Sequence, residues 1–365
     1  MRRSRPNETL KRTVQNGLLV FVLSFLLCLF SGCAAGLFGG TAGQTETERT
    51  VYAMDTYLTV RAYGDASDNT SEAILDRVLD DALKEVEALE KKLSVTIETS
   101  EIAKANATGS AALSTVTAEL LTRALELCEE TDGALDITVY PLVRAWGFTT
   151  GETRVPGEEE IRELLPYVDY RRVALGYSVT LEDGMAIDLG SVAKGFACDK
   201  MARRLKDVTG SALIDFGGNI CAIGAKPDGS DWRIGVRSPE GNDLLGVLSV
   251  RDRFVVTSGG YERCFTDADG NLRWHIIDPK TGYPARNGLL SVTVVGTKGI
   301  RCDALSTALF VMGTEKAIGF WREKGDFGMI LVTDDGRLLV TPDLAKTFTA
   351  DKNAPYAQET IREAE

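Results

Sequence analysis

The chain has 365 residues and a formal net charge of −12 at pH 7, with 44% hydrophobic and 26% charged residues. This length and composition are typical of a globular protein that can bury one large core. The acidic balance argues against a nucleic-acid partner, because a protein that neutralises phosphates needs an excess of lysine and arginine.

The first 50 residues have the composition of a targeting segment and a tether. A basic stretch precedes an apolar run over 18–30, which is too short for a bilayer because a spanning helix needs about 20 residues. The following Leu29-Phe30-Ser31-Gly32-Cys33 resembles a bacterial lipoprotein signal. We therefore predict a signal peptide over 1–32, lipidation of Cys33 and a tether over 33–50. An uncleaved anchor or an ordinary secretory signal is the alternative.

These assignments predict a protein of the cell envelope, lipid-anchored to the membrane on its extracytoplasmic face. The folded domain is expected to span 51–348, and a C-terminal tail is expected over 349–365.

Apolar residues at helical spacing predict several helices in the first half of the domain. The expected helices cover 71–93, 117–130, 158–165 and 192–205. Short β-rich runs predict strands at 173–175, 179–181 and 185–189, the last two joined by a turn at Asp183-Gly184.

The second half of the domain is richer in strand patterns. Strands are expected at 211–216, 220–224, 231–237, 246–251, 254–257, 273–277 and 289–296. A helix over 303–322 and a hairpin over 328–341 follow. Because strands and helices do not alternate strictly, we predict an α+β fold with antiparallel-rich sheets and flanking helices, as one large domain or two closely packed lobes.

One candidate anion site lies around Asp188, Ser191 and Lys194, where a strand is expected to give way to a helix. Amides at a helix N-terminus together with an ammonium group suit an anionic ligand. The segment lacks the spacing of a P-loop. The alternative is that Asp188 or Ser191 only caps the helix, with Lys194 in solvent.

A candidate cation site consists of Asp303 and Thr307, which share one face of a helix because they are four residues apart. A carboxylate and a hydroxyl suit a hard cation such as Mg²⁺ or Ca²⁺ better than zinc. The alternative is an aspartate that caps the N-terminus of a core helix.

The only histidine of the chain, His275, is followed by the turn sequence Asp278-Pro279-Lys280-Thr281-Gly282. Histidine is the side chain whose ordinary pKa lies near neutrality, so His275 is the first candidate for proton transfer. The alternative is a buried histidine beside a well-formed turn.

Taken together, several ordered motifs resemble the ApbE family, the FAD:protein FMN transferases of bacterial envelopes. The resemblance runs from Val51 to about Thr347. It rests on Met54-Asp55-Thr56, Ser100-Glu101-Ile102 with Asn106, Gly133 to Phe148, Asp188 to Asp199, Gly217-Gly218-Asn219, Ser258 to Tyr261, His275 to Pro284, and Asp303 to Thr307.

The resemblance implies an ApbE-like, T-fold-like domain that moves FMN from its substrate FAD to a Thr or Ser hydroxyl of a partner protein, releasing AMP. It implies Mg²⁺ held by Asp303, Thr307 and an oxygen of Ser191, with help from Ser306. Lys194 is expected near the diphosphate, and we predict that His275 accepts the proton of the hydroxyl. Asp278 and Thr281 are expected to hold the turn that orients His275. The resemblance places FAD contacts at Met54, Ala134, Leu135, Asp136, Asp188 and Ile277.

The sequence departs from the family pattern at three places. Val95-Thr96 stands where many members have an aromatic residue, Ser191 stands where Gly, Ala or Thr is often found, and Asp215 stands where a smaller or amide residue is usual. The acceptors implied by the resemblance are flavoprotein subunits of membrane electron-transport complexes or secreted flavoproteins. Two other functions fit the same site, hydrolysis of FAD to FMN and AMP, and flavin binding without turnover. The presence of His275, Asp303 and Thr307 favours an enzyme over a pure binder, because binding alone does not need a general base.

Overall fold

The computed structural model describes residues 44–65, 69–241 and 243–363. The predicted signal peptide, Cys33 and the first part of the predicted tether lie outside the described residues. In the ranges that are described, no helix is both long and apolar enough to cross a membrane. The chain from Gly43 onward forms one compact unit, so the prediction of a single large domain holds rather than the prediction of two lobes.

The described residues contain seventeen strands and eight helices. In chain order the strands are β1 (Gln44–Ala53), β2 (Thr56–Asp65), β3 (Ser110–Ala112), β4 (Ala174–Leu175), β5 (Ser178–Thr180), β6 (Ser211–Phe216), β7 (Asn219–Gly224), β8 (Trp232–Arg237), β9 (Leu244–Val250), β10 (Arg253–Gly259), β11 (Cys264–Thr266), β12 (Leu272–Trp274), β13 (Leu289–Gly296), β14 (Gly328–Thr333), β15 (Arg337–Val340), β16 (Phe348–Ala350) and β17 (Ala357–Thr360). The helices are α1 (Asn69–Leu93), α2 (Glu101–Thr108), α3 (Thr115–Glu130), α4 (Tyr140–Ala145), α5 (Glu158–Leu164), α6 (Ala193–Lys206), α7 (Gly299–Met312) and α8 (Thr314–Lys324).

The centre of the fold is a nine-stranded sheet in the order β1-β2-β6-β7-β10-β13-β14-β15-β17. Neighbouring strands are antiparallel except for β15 and β17, which are parallel. One face of the sheet packs against α1, α6 and α7 in the larger hydrophobic core. The other face packs against a three-stranded sheet in the order β16-β9-β8. All six residues of β14 are buried because both faces of that strand are covered.

The fold begins earlier than predicted, because the segment expected to end the tether forms strand β1. This strand pairs with β2 along its full length. Its polar composition suits a solvent-facing edge, where Arg61 of β2 forms salt bridges with Glu46 at 2.8 Å and Glu48 at 2.5 Å. The predicted C-terminal tail contains most of β16, which pairs with β9 in the three-stranded sheet. It also contains β17, which pairs with β15 in the central sheet.

Three other boundaries differ from the prediction. Residues 185–189 form no strand. The helix expected over 303–322 begins at Gly299 and breaks at Gly313, whose φ of 78° few other residues adopt. The strand expected over 273–277 stops at Trp274, and its partner β11 was not predicted.

Candidate functional site

Apart from Ser306, the residues predicted to contact FAD, to hold the metal or to accept the proton line one cavity of about 1260 Å³. They come from the β1–β2 turn, the segments before α4 and α6, the start of α6, the segment after β12, and α7. The residues that the structure brings together are Met54, Ala134, Leu135, Asp136, Asp188, Ser191, Lys194, His275, Ile277, Asp303 and Thr307. Their separate roles stay predictions, since lining a cavity does not assign one.

The segment before α6 is held by side chains rather than by a sheet. The Asn106 amide donates to Ile187 O and accepts from Ile187 N, both at 2.8 Å. Asp188 accepts from Gly190 N at 2.9 Å, and burial raises the pKa of its carboxyl. The cap position of α6, Val192, has no side-chain hydrogen bond. The helix-cap alternative for Asp188 and Ser191 is therefore wrong, and Lys194 lies in the first turn facing the cavity.

Asp303 lies inside α7 and does not cap it, because that helix begins at Gly299. Its Oδ2 accepts instead from Gly195 N of α6 at 2.8 Å, at the N-terminal turn of the neighbouring helix. The residue is only 4% exposed. Burial raises the pKa of the Asp303 carboxyl, and the charge of Lys194 opposes this shift.

The two helices that carry these groups meet at a crossing of two glycines. A Cβ added to Gly195 would lie 2.3 Å from Gly299 O, and one added to Gly299 would lie 2.5 Å from Gly195 O. Asp199 of α6 makes the equivalent contact to α7. The Asp199 carboxylate accepts from Gly299 N at 2.7 Å and from Ile300 N at 2.9 Å. Each helix thus supplies an aspartate to the N-terminus of the other, which fixes Lys194 and Asp303 relative to one another.

Thr307 lies one turn after Asp303 and also faces the cavity. Its hydroxyl is 3.4 Å from Ser258 Oγ, which is 2.8 Å from Ser306 Oγ. Ser306 is fully buried, donates to Asp303 O at 2.9 Å, and does not line the cavity. The Ser306 hydroxyl thus contacts Asp303 O and Ser258, and the expectation that Ser306 helps to hold a metal stays a prediction. Ser258 belongs to the motif Ser258 to Tyr261, for which the sequence alone predicts no role.

The oxygen atoms of Asp303, Thr307 and Ser191 are of the type that Mg²⁺ prefers as ligands. No group of three or more His, Cys, Asp or Glu side chains in the described ranges could hold a metal by itself. A site of one carboxylate and neutral oxygens is unsuited to zinc, but Mg²⁺ is commonly held by one or two carboxylates, water and substrate phosphates. The side chain of Asn219, which also lines the cavity, is close enough to the Asp303 carboxylate to favour its charged form and so opposes the rise in its pKa.

His275 is partly buried in the cavity wall, edge-on to Phe148 with the ring centroids 6.3 Å apart. Its Nδ1 lies 3.3 Å from Arg263 O. Burial, with the charge of Arg263 adding to it, lowers the pKa of His275 to about 4. The imidazole is therefore neutral at pH 7, and a proton on Nδ1, donated to Arg263 O, leaves Nε2 free to accept one.

The turn after His275 is built as the sequence suggests. Asp278 accepts from Lys280 N through its side chain at 2.8 Å and from Gly282 N through its carbonyl at 2.8 Å. Thr281 Oγ1 lies 3.4 Å from Tyr283 N. Trp146 donates through Nε1 to Gly282 O at 2.8 Å and so ties the turn to the segment after α4.

Two of the predicted FAD contacts show unusual local structure. Met54 and Asp55 have positive φ angles of 48° and 60° in the β1–β2 turn, and Met54 N donates to Glu90 at 2.9 Å. Asp136 uses both carboxylate oxygens inside the protein, accepting from Thr138 N at 2.8 Å and Tyr170 N at 3.1 Å. Burial raises the pKa of its carboxyl. These hydrogen bonds give Asp136 a structural role in the cavity wall.

The cavity also contains charged residues that the sequence analysis did not single out. Glu262, Arg263 and Arg237 line it next to Tyr261. Burial raises the pKa of the Glu262 carboxyl, while the charges of Lys194 and Arg237 oppose that shift. The only sequence signal was position, because Glu262 and Arg263 directly follow the motif Ser258 to Tyr261.

A sequence profile of the ApbE family matches residues 54–331. A curated relative, FAD:protein FMN transferase of Treponema pallidum, is 33% identical over 339 residues, covering 87% of this chain and 92% of the relative. The protein of the same name from Escherichia coli is 30% identical and covers 65% of this chain and 71% of the relative.

Solved structures of ApbE proteins are also similar to this chain. The ApbE protein of Thermotoga maritima aligns with a TM-score of 0.75 and 32% identity, covering 83% of this chain and 99% of that chain. The apo form of the flavinyl transferase ApbE of Pseudomonas stutzeri aligns with a TM-score of 0.71 and 28% identity, covering 86% and 97%.

The family profile covers most of the described residues, and the relatives are transferases. These findings confirm the predicted α+β fold and the prediction of an enzyme of the transferase class. The chain belongs to the ApbE family.

Proposed function

We propose that this enzyme transfers FMN from FAD to a Thr or Ser hydroxyl of a partner protein and releases AMP, with Mg²⁺ as cofactor. The observation that carries the proposal is the shared cavity, lined by one neutral imidazole, one ammonium group and a buried carboxylate with hydroxyls. Flavin transfer from FAD to a protein is the activity for which the relatives are named. The hydroxyl acceptor, AMP release and Mg²⁺ dependence are the further steps of the proposal.

The proposed reaction forms one bond and breaks one. His275 accepts the proton of the acceptor hydroxyl, and its oxygen attacks the phosphorus on the FMN side of the diphosphate. The bond to the bridging oxygen breaks, and AMP leaves with the bonding electrons. Lys194 and the amides of the first turn of α6 stabilise the charge that develops on the phosphate oxygens. Mg²⁺, held by Asp303, Thr307 and Ser191, would neutralise diphosphate charge.

The test uses the full-length protein with FAD, Mg²⁺ and an apo flavodomain that carries one acceptor threonine. Intact-mass spectrometry should show the addition of one FMN to the flavodomain, and chromatography should show an equal amount of AMP. Free FMN and AMP with an unmodified flavodomain would indicate an FAD hydrolase instead. Unchanged FAD would indicate a flavin-binding protein.

We also propose that Cys33 is lipidated after removal of 1–32 and anchors the enzyme to the membrane outside the cytoplasm. This location would place it beside flavoprotein subunits of electron-transport complexes and secreted flavoproteins. Mass spectrometry of the N-terminal peptide should show a diacylglyceryl Cys33, and Cys33→Ala should move the enzyme from the membrane fraction to the soluble fraction. An unmodified N-terminus beginning at Met1 would contradict the proposal.

A further inference from the structure

The cavity is larger than most pockets that bind a single small molecule. Its volume of about 1260 Å³ exceeds the roughly 300–1,000 Å³ typical of ligand pockets. None of the residues expected to contact FAD lies on β6, β7, β8 or β10, although all four strands line the cavity. This part of the cavity is therefore available to the second substrate.

The available part is a step between the two sheets, formed by strand β8 at the edge of the smaller sheet and by Leu213 and Ile220 of the central sheet. Strand β8 is at the edge of the three-stranded sheet and, among the described strands, pairs only with β9. Its residues Trp232, Ile234 and Val236 pack onto the central sheet. Beyond this edge the central sheet continues with Leu213 and Ile220, which are only partly buried. A strand added to β8 would cover these two side chains and continue the smaller sheet.

Strand β8 also carries two arginines at the step. Arg233 and Arg237 are exposed, line the cavity, and form no salt bridge within the described residues. They lie about 13 Å apart on the same face of the strand. Arg237 is at the catalytic end, because its guanidinium lies 5.8 Å from the Tyr261 ring and its charge acts on Glu262, which also feels Lys194 and Asp303.

We propose that the acceptor protein docks as an additional strand on the open edge of β8, with its Thr or Ser at the Arg237 end. This inference rests on the proposed function and specifies its protein substrate. The docking segment is extended, with apolar side chains facing Leu213 and Ile220 and acidic side chains on the other face, opposite Arg233 and Arg237. Backbone hydrogen bonds to β8 supply affinity, and the arginines select acidic segments.

The kinetic test changes the charge at the end of β8 away from the catalytic groups. Arg233→Glu should raise the KM for the apo flavodomain roughly tenfold, while kcat at saturating flavodomain and FAD affinity by flavin fluorescence stay unchanged. Arg77→Glu is the matched control, because Arg77 is exposed on α1 and does not line the cavity. Equal KM values for the two variants would overturn the proposal.

Hydrogen exchange tests the position of docking without turnover. The probe is the same flavodomain with its acceptor threonine replaced by valine, which can bind but cannot react. Amides of Trp232–Arg237 should become protected, whereas protection confined to other segments would overturn the proposal. Absence of transfer by the unmodified enzyme would contradict the proposed function, whereas normal transfer with an unchanged KM for Arg233→Glu would contradict only the docking strand.

Discussion

At the scale of single residues, the environment of His275 decides what this histidine can do. The ring faces a cavity, yet burial lowers its pKa to about 4. The imidazole is therefore neutral at pH 7, the state in which a general base accepts a proton, and the same burial makes it a weaker base than an ordinary histidine. The sequence identified the residue because it is the only histidine, but it did not reveal the pKa, which depends on Arg263 and on packing from distant segments.

This lowered pKa has a consequence for stability. Because the folded protein binds the His275 proton less readily than the unfolded chain, whose histidine pKa is about 6.5, protonation favours unfolding. The contribution of His275 is therefore fully present above pH 6.5 and is lost as pH falls toward 4, by at most about 3 kcal/mol. Urea titrations of the native protein and of His275→Gln should diverge only below about pH 6.5, with the native protein losing more stability. Parallel pH profiles would contradict the lowered pKa.

His275→Gln also tests catalysis. The variant should bind FAD with unchanged affinity but lose transfer activity, because glutamine cannot accept the hydroxyl proton. FAD affinity by flavin fluorescence and flavodomain mass by spectrometry measure the two properties separately. Retained transfer would show that the base lies elsewhere, with the carboxylate of Glu262 in the same cavity as a candidate.

Asp303 is a second residue whose role can be separated from its packing. Asp303→Asn keeps an oxygen that can accept from Gly195 N but removes the charge offered to the cavity. We expect Mn²⁺, used as a spectroscopic substitute, to bind much more weakly by electron paramagnetic resonance, and transfer to fall by several kcal/mol of transition-state stabilisation. Circular dichroism should be unchanged. Undiminished Mn²⁺ binding would remove Asp303 from the metal site.

At the scale of elements, the prediction succeeded where local pattern decides structure and failed where distant partners do. Helix α1 has apolar residues at helical spacing over most of its length and was predicted nearly to its ends. Residues 185–189 have the pattern of a strand, but the Asn106 side chain takes the hydrogen bonds that a strand neighbour would supply. The sequence of β1 resembles a tether because its exposed positions are polar. Its strand structure is evident only from its pairing with β2.

The crossing of α6 and α7 was beyond sequence reasoning for the same reason. Gly195 and Asp199 have the same spacing as Gly299 and Asp303, but only the structure shows that each pair contacts the other. The alternative that Asp303 caps its own helix is wrong, because its carboxylate accepts a hydrogen bond from Gly195 N in the first turn of α6.

This crossing predicts a large effect from one methyl group. Gly195→Ala would place a Cβ against Gly299 O, where backbone has to move, so we expect a loss of about 1–3 kcal/mol in the free energy of unfolding. Gly319→Ala on α8 is the control, because a Cβ there meets no atom within 4 Å and alanine favours a helix by up to about 1 kcal/mol. Urea denaturation compares the two variants. Equal stabilities would show that the two helices can separate freely.

At the scale of the whole molecule, the cavity joins parts that sequence reasoning could only consider separately. Its walls come from the β1–β2 turn, the segments beside α4 and α6, the turn after His275, helix α7 and the step at β8. The family resemblance grouped most of these segments, but the step at β8 carried no motif. Ligands bound in such a cavity contact elements from all layers of the fold, so ligand binding and global stability should be linked.

The linkage predicts a thermal shift that requires both ligands together. In the proposed binding mode, FAD alone would bring a charged diphosphate beside Asp303, and Mg²⁺ between them would make each ligand bind more tightly in the presence of the other. At one hundred times the dissociation constant a ligand adds about 2.7 kcal/mol to stability. Differential scanning fluorimetry should therefore give a larger Tm increase with FAD and Mg²⁺ together than the two separate increases combined. His275→Gln should keep this excess and Asp303→Asn should lose it, whereas additive shifts in the native protein would mean that the metal and the diphosphate bind apart.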